Sequence, residues 1–109
     1  MASKTVKNKK VLSPRRVGNK VFIRTVTMYY VGVIAKVDMK AKEILLTEAS
    51  WVAETGVRFN GALKDGFNDK AEIEPMPGTV SISTDVVVDI CDWKHVLPTS
   101  PIPASGATS

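Results

Sequence analysis

The sequence contains little of what catalysis and covalent cross-linking require. It has one cysteine, Cys91, and one histidine, His95, among 109 residues. One cysteine excludes an intrachain disulfide and is typical of a protein from a reducing compartment. A zinc site needs about four well-spaced ligands, which this pair does not supply. No nucleophile elbow, phosphate-binding loop or dinucleotide fingerprint is present either. We therefore expect a protein that is not an enzyme, with no catalytic residue, no metal and no cofactor.

Long apolar runs are also missing. The longest are a few residues, whereas a membrane-spanning helix needs roughly 20. The basic N-terminus is not followed by the apolar stretch of a secretory signal. The sequence thus predicts no contact with a membrane. It favours the cytoplasm of a bacterial or virus-infected host cell, with the virion as the other location.

The positive charge is concentrated at the N-terminus. The net charge is +4, yet residues 1–16 contain six basic residues and no acidic one. These residues are Lys4, Lys7, Lys9, Lys10, Arg15 and Arg16. Clustered Lys and Arg bind nucleic acid by releasing counterions from phosphates. The same pattern also suits a solubilising tail, or an arm that docks on an acidic neighbouring subunit.

The pattern around which the chain is organised runs from Val21 to Leu46. Alternate residues from Val21 to Val37 are apolar or threonine, which is typical of a half-buried β-strand with one apolar face. Such a strand would be about 55 Å long at roughly 3.3 Å per residue, far longer than usual. The segment must therefore turn, and we predict a tight hairpin at Thr25–Met28 and a kink at Gly32.

The next segment loses this period of two. Glu43–Thr47 is predicted to be a strand, whereas Glu48–Thr55 suits one or two helical turns with Gly56 as the C-terminal cap. From such a helix Trp51 would cover the core.

Residues 57–78 are predicted to form an irregular insertion with a short turn of helix near Ala62–Lys64. Phe59, Leu63 and Phe67 recur every four residues, so they either attach the insertion to the core or form a subunit contact. Loops of this length are often functional.

The remaining segments complete a mainly β domain. Thr79–Ser83 and Asp85–Trp93 are predicted strands, with Val80 and Ile82 pointing inward. The chain divides into a basic arm (1–16), a β domain (17–97) and a Pro/Ser-rich tail (98–109) that has too little apolar content to fold alone.

Three segments resemble the motifs of Sm and Sm-like proteins. Tyr30-x-Gly32-x-Ile34-x-x-Val37-Asp38 resembles the first Sm motif, Ile44–Ala49 resembles the strand after it, and Ile82–Ile90 resembles the second motif. The resemblance implies a small, strongly bent antiparallel β-barrel of the Sm/SH3-like kind that forms rings by strand pairing. The RNA-binding asparagine and Arg-Gly pair of those proteins are not matched. Their places hold Lys40, Lys42 and Ser83-Thr84.

A second resemblance covers most of residues 20–98. The combination YYVG…VD…ILLTEASWVAETG…ALKDG…EIEPMPG…DW-H-LP is similar to a family of small, uncharacterised phage and prophage proteins. This likeness implies a viral or prophage origin and carries no activity with it.

Three functions are compatible with these features. The first is a non-enzymatic phage-type structural or assembly protein: a homo-oligomeric barrel whose arms contact neighbouring subunits or other phage structural proteins. The second is a nucleic-acid-binding accessory protein that uses residues 1–16. The third is a protein that sequesters a small nucleotide at subunit junctions. The ligand or interface residues considered are Lys40, Lys42, Trp51, Arg58, Phe59 and Phe67.

Overall fold

The computed structural model describes residues 11–102 as a mainly β fold with one short helix. The four predicted arm residues Lys4, Lys7, Lys9 and Lys10 lie outside this range. The strands are β1 (Lys20–Thr25), β2 (Tyr29–Asp38), β3 (Glu43–Glu54), β4 (Glu72–Pro75), β5 (Val80–Ser83) and β6 (Val87–Asp92). Helix α1 (Phe59–Asp65) lies between β3 and β4, and one turn of 3-10 helix (Thr84–Val86) joins β5 to β6.

All the strand pairs are antiparallel and belong to one sheet. The strand order is β4-β3-β2-β1-β6. The same edge of β3 pairs with β5 along its first half and with β4 along its second half. Within residues 11–102 the two ends of this path do not pair with each other, so the sheet is open. The sheet is also strongly irregular, because the pairing register shifts at Gly32, Ala35, Ala53 and Val88.

The predicted hairpin is confirmed, but the predicted single apolar face is wrong. The turn between β1 and β2 leaves Ile23 opposite Tyr30 and Phe22 opposite Val31. Odd positions of β1 therefore share a face with even positions of β2, because paired residues point to the same side of a sheet. Both faces of β1 are buried: Val21, Phe22 and Ile23 have no exposed surface.

The predicted helix at Glu48–Thr55 is also wrong, because β3 continues to Glu54. The loss of the two-residue period comes from a β-bulge instead. Glu48 has a left-handed backbone with φ of 51°, and it stands with Ala49 opposite the single residue Gly32. A side chain on Gly32 would come within 3.1 Å of the Ala49 Cα. Gly32, where a kink was predicted, therefore lies opposite this bulge at a close approach of two strands.

The segment predicted as an irregular insertion contains both α1 and β4. A short helix near Ala62–Lys64 is confirmed, and it extends over seven residues. Phe59 and Leu63 lie four residues apart on one side of α1 and, with Phe67, pack on the core. β4 then pairs with the end of β3, with Ile73 buried and its neighbours Glu72 and Glu74 exposed.

The sheet carries a core on each face. The first core cluster consists of Val21, Ile23, Ile34, Ile44, Leu46, Ala49 and Ile82. The second core cluster consists of Phe22, Val31, Val52, Ala71, Ile73, Trp93 and Leu97. The predicted inward positions Val80 and Ile82 are confirmed, since both belong to or pack on the first core cluster. Trp51 belongs to neither cluster and is half-buried, so it does not cover the core as predicted.

Candidate interaction surfaces

The outer edge of β5 is unpaired in the part of the chain that the structure describes. The Thr84 N–H donates to the Lys42 carbonyl oxygen at 2.9 Å. This bond and the pairing register identify the residues of β5 whose backbone groups bond to β3. By the alternation of an antiparallel ladder, Val80 and Ile82 bond to β3, and Ser81 and Ser83 direct their N–H and C=O groups outward. None of the four residues of β5 is charged. Such an edge lacks the lysines that usually prevent another strand from pairing with it.

The outer edge of β6 is likewise unpaired within residues 11–102. The Trp93 N–H donates to the Lys20 carbonyl oxygen at 2.9 Å, so the N–H and C=O groups of Ile90 and Asp92 point away from β1. A bulge places both Val88 and Asp89 opposite Arg24, and the Val88 side chain is 59% exposed. The structure therefore has two strand edges able to accept a further strand, one on each side of the 3-10 turn.

A charged cluster that the sequence analysis missed attaches β6 to the fold. The Arg24 Nε donates to Asp89 Oδ1 at 2.9 Å, and the Arg24 Nη2 also donates to Asp89 Oδ2. The Arg24 guanidinium lies 4.2 Å from the centroid of the Phe59 ring. This bidentate pair therefore connects β1 and β6, and its cation stacks on α1. The signal was available, since Arg24 is the only charged residue between Val21 and Val31.

The Arg24–Asp89 contact shifts both pKa values. Hydrogen bonding to Arg24, opposed by partial desolvation, lowers the pKa of Asp89. Hydrogen bonding to Asp89 raises the pKa of Arg24 above its usual range. A carboxylate with a lowered pKa stabilises the fold above its unfolded-state pKa, and this contribution is lost as the pH falls through the folded-state pKa.

We expect Asp89→Asn to lower the free energy of unfolding by about 1 kcal/mol at pH 7, because the pair is half-exposed and water screens it. The difference from the wild type should disappear as the pH falls through the lowered folded-state pKa of Asp89, where Asp89 is itself protonated. Urea unfolding at a series of pH values measures this. Asp85→Asn is the matched control, since Asp85 is exposed and lies 3.9 Å from Lys42. An equal loss in both variants, or a loss in Asp89→Asn that persists at low pH, would contradict the prediction.

The described part of the basic arm includes Arg15 and Arg16, and Arg15 lies beside β6. Arg15 is exposed and Arg16 is half-exposed. Ser13, Pro14 and Arg15 line one side of a groove of about 220 Å³ whose other side includes Val87–Ile90. The arm is held there by Asn19, whose Nδ2 donates to the Pro14 carbonyl oxygen at 2.8 Å and to Asp92 Oδ1 at 2.9 Å.

The other predicted site residues are separated in a single copy. Lys40 and Lys42 lie in or beside the turn before β3. Trp51 follows eight positions further along that strand, roughly 25 Å away at the usual rise per residue. Trp51 and Phe59 do line a common open groove of about 630 Å³, together with the Thr25–Tyr29 turn. Arg58 is exposed just before α1. Phe67 stacks on Trp93 with ring centroids 4.6 Å apart.

The single cysteine, Cys91, and the single histidine, His95, both pack against neighbouring parts of the fold. Cys91 is half-buried in β6, and desolvation raises the pKa of its thiol, which makes it less reactive. His95 packs edge-on against Trp93 with ring centroids 4.9 Å apart, and its Nε2 is 2.9 Å from the Leu63 carbonyl oxygen. Across residues 11–102 no three acidic, histidine or cysteine side chains come together as metal ligands. Over the same residues, no helix has the length and apolarity to cross a membrane.

Comparison of the chain with family models, with curated proteins and with solved structures finds no match. The features of the molecule that bear on function are therefore the two strand edges, the basic arm and the grooves described above.

Proposed function

We propose that this protein is a non-enzymatic assembly protein that forms a homo-oligomer by strand pairing, with the β5 edge of one copy against the β6 edge of the next. The observation that carries the proposal is a pair of strand edges with which nothing pairs in residues 11–102. Ser81 and Ser83 direct backbone groups outward on β5, and Ile90 and Asp92 do so on β6. Contact between different edges repeats from copy to copy, and it generates a ring when the rotation closes.

This proposal agrees with the Sm-like motifs in the sequence. In that interpretation the bulged sheet is a small, strongly bent barrel that a single copy leaves unclosed, and the basic arm contacts a neighbouring subunit or another phage structural protein. Arg15 supports the second part, since it is exposed beside β6. Residues 13–15 therefore lie next to whatever pairs with the β6 edge. The place of action would be the host cytoplasm or the virion.

The decisive variant is Ser81→Pro. Proline lacks an N–H, and the Ser81 N–H points away from β3, so the substitution blocks the outer edge and leaves the β3 hydrogen bonds in place. Ser81→Ala is the matched control, because it also removes the Ser81 hydroxyl bond to Glu43 Oε2 but keeps the N–H.

Light scattering should give wild type and Ser81→Ala a mass of two or more times 11.8 kDa, and Ser81→Pro a smaller mass. A wild-type chain that is monomeric at all concentrations would overturn the proposal. So would a folded Ser81→Pro protein with unchanged mass.

Nucleic-acid binding is the second candidate. It is supported by the six basic residues without an acid in residues 1–16 and by the exposure of Arg15. If it is correct, affinity for a short duplex should fall linearly on a log–log plot against salt concentration, should weaken when both Arg15 and Arg16 are changed to Ala, and should be lost when residues 1–16 are deleted. The nucleotide-sequestering alternative places its pocket at a junction between subunits, so Lys40 and Lys42 of one copy would have to meet Trp51 of another.

A further inference from the structure

The β4 edge already has an extended peptide bound to it, and that peptide is the chain's own C-terminal segment. The Ile73 N–H donates to the Ile102 carbonyl oxygen at 2.8 Å, and the Ile102 N–H donates back to the Ile73 carbonyl oxygen at 2.9 Å. These reciprocal bonds define a hydrogen-bonded antiparallel pair. The Ile102 side chain also packs on the second core cluster. The segment therefore binds by β-augmentation, with backbone bonds for affinity and a side-chain contact for specificity.

A cavity lies beside this pair, and the segment itself forms part of its wall. This cavity of about 160 Å³ is bordered by Trp51, Ala53, Glu74, Pro101 and Ile102, among others. Pro101 and Ile102 therefore share this mixed aromatic and aliphatic lining with Trp51. Prolines also restrict the free segment to extended conformations, which lowers the entropy lost when it binds.

The segment Pro98–Ile102 makes only a short contact with β4, so it can detach and an equivalent segment can take its place. Ile73–Ile102 is the one strand pair that the segment makes within the described residues. Pro98 and Pro101 have no N–H and add no donor to the ladder. The segment is attached through Leu97, which is buried, and Val96 before it is 85% exposed. Residues 98–102 can therefore leave β4 without uncovering the centre of the core.

We propose that the β4 edge accepts the Pro98–Ile102 segment of a second copy of this chain. Every contact that the segment makes within one copy is reproduced between copies, so the two arrangements differ mainly in concentration dependence. The inference rests on the proposed assembly of copies and identifies the contact that its C-terminal arms make. It uses β4, whereas the contact between neighbours proposed above uses β5 and β6.

Two single-cysteine variants test this exchange directly. The antiparallel register places Pro101 opposite Glu74 in a non-hydrogen-bonded pair, with Cα atoms about 4.5 Å apart, which a disulfide can bridge. In a Cys91→Ala background, full-length Glu74→Cys carrying a mass tag is mixed with untagged Pro101→Cys under mild oxidation. A tagged–untagged disulfide can form only between copies. The double variant in one chain is the positive control for the register, and Ala41→Cys in place of Glu74→Cys is the negative control.

We expect the mixed disulfide to increase severalfold when the protein concentration is raised tenfold, and to exceed the Ala41→Cys control at least fivefold. An added peptide of sequence LPTSPIP should reduce it. If the double variant closes within its own chain but the mixed disulfide stays at the control level, the exchange is refuted. A double variant that does not close would refute the register and the proposal with it. The pairing of the β5 and β6 edges is tested separately, by the light-scattering masses of the wild type and the Ser81→Pro variant.

Discussion

Gly56→Ala is expected to lower the free energy of unfolding by about 3 kcal/mol or more, because two costs combine. Gly56 has a φ of +83°, where a side chain strains the backbone. In addition, a Cβ at this position would lie 2.6 Å from the Ala71 nitrogen and 2.9 Å from the Lys70 carbonyl carbon. These are main-chain atoms of the segment that leads into β4, so relief requires the strand to move. Urea unfolding followed by tryptophan fluorescence measures the loss.

Gly78→Ala separates the two costs. Gly78 has a φ of +74°, yet nothing lies within 4 Å of the position that its Cβ would take. The free energy of unfolding of Gly78→Ala should therefore fall only by the cost of backbone strain, about 1–2 kcal/mol. If both variants lost the same amount, the close packing of Gly56 against the β4 segment would be contradicted.

Phe22→Ala is expected to cost about 3–5 kcal/mol, the usual range for an aromatic ring removed from a core. Phe22 is fully buried, and its ring lies 4.9 Å from that of Phe59 and 5.8 Å from those of Tyr29 and Trp93. It thus connects β1, β2, α1 and the chain after β6.

The matched variant is Phe22→Leu, which keeps most of the apolar volume and should lose about half as much or less. The free energy of unfolding by urea and the near-UV circular dichroism of the aromatic rings are the measurements. A loss of less than about 1 kcal/mol in Phe22→Ala would show that the ring is not the centre of the second core cluster.

Local turn chemistry made parts of the fold predictable from sequence. The Thr25–Met28 hairpin and the β5 strand follow from short-range patterns, and both are present. The supposed helix at Glu48–Thr55 failed because a bulge at Glu48 shifts the alternation by one residue. A bulge and a helix both interrupt a two-residue period, so the pattern alone does not separate them.

Contacts between distant segments explain the remaining differences. The apolar face was mistaken because pairing across the hairpin matches odd positions with even ones, which only the register reveals. The Arg24–Asp89 pair connects residues 65 positions apart, although a lone arginine in an apolar run indicated a partner. The pairing of Ile102 with Ile73 could not be predicted from local sequence, because a proline-rich segment is typical of an unpaired tail.

Hydrogen exchange at the two strand edges tests the central proposal most directly. The amides of Ser81 and Ile90 point outward in one copy, so they are protected only if another strand pairs with them. In residue-resolved exchange by NMR, their rates should fall at least tenfold between a dilute and a concentrated sample, whereas the inward amides of Ile82 and Cys91 stay protected in both. Rapid exchange of Ser81 and Ile90 in a sample that light scattering shows to be oligomeric would contradict assembly through these edges.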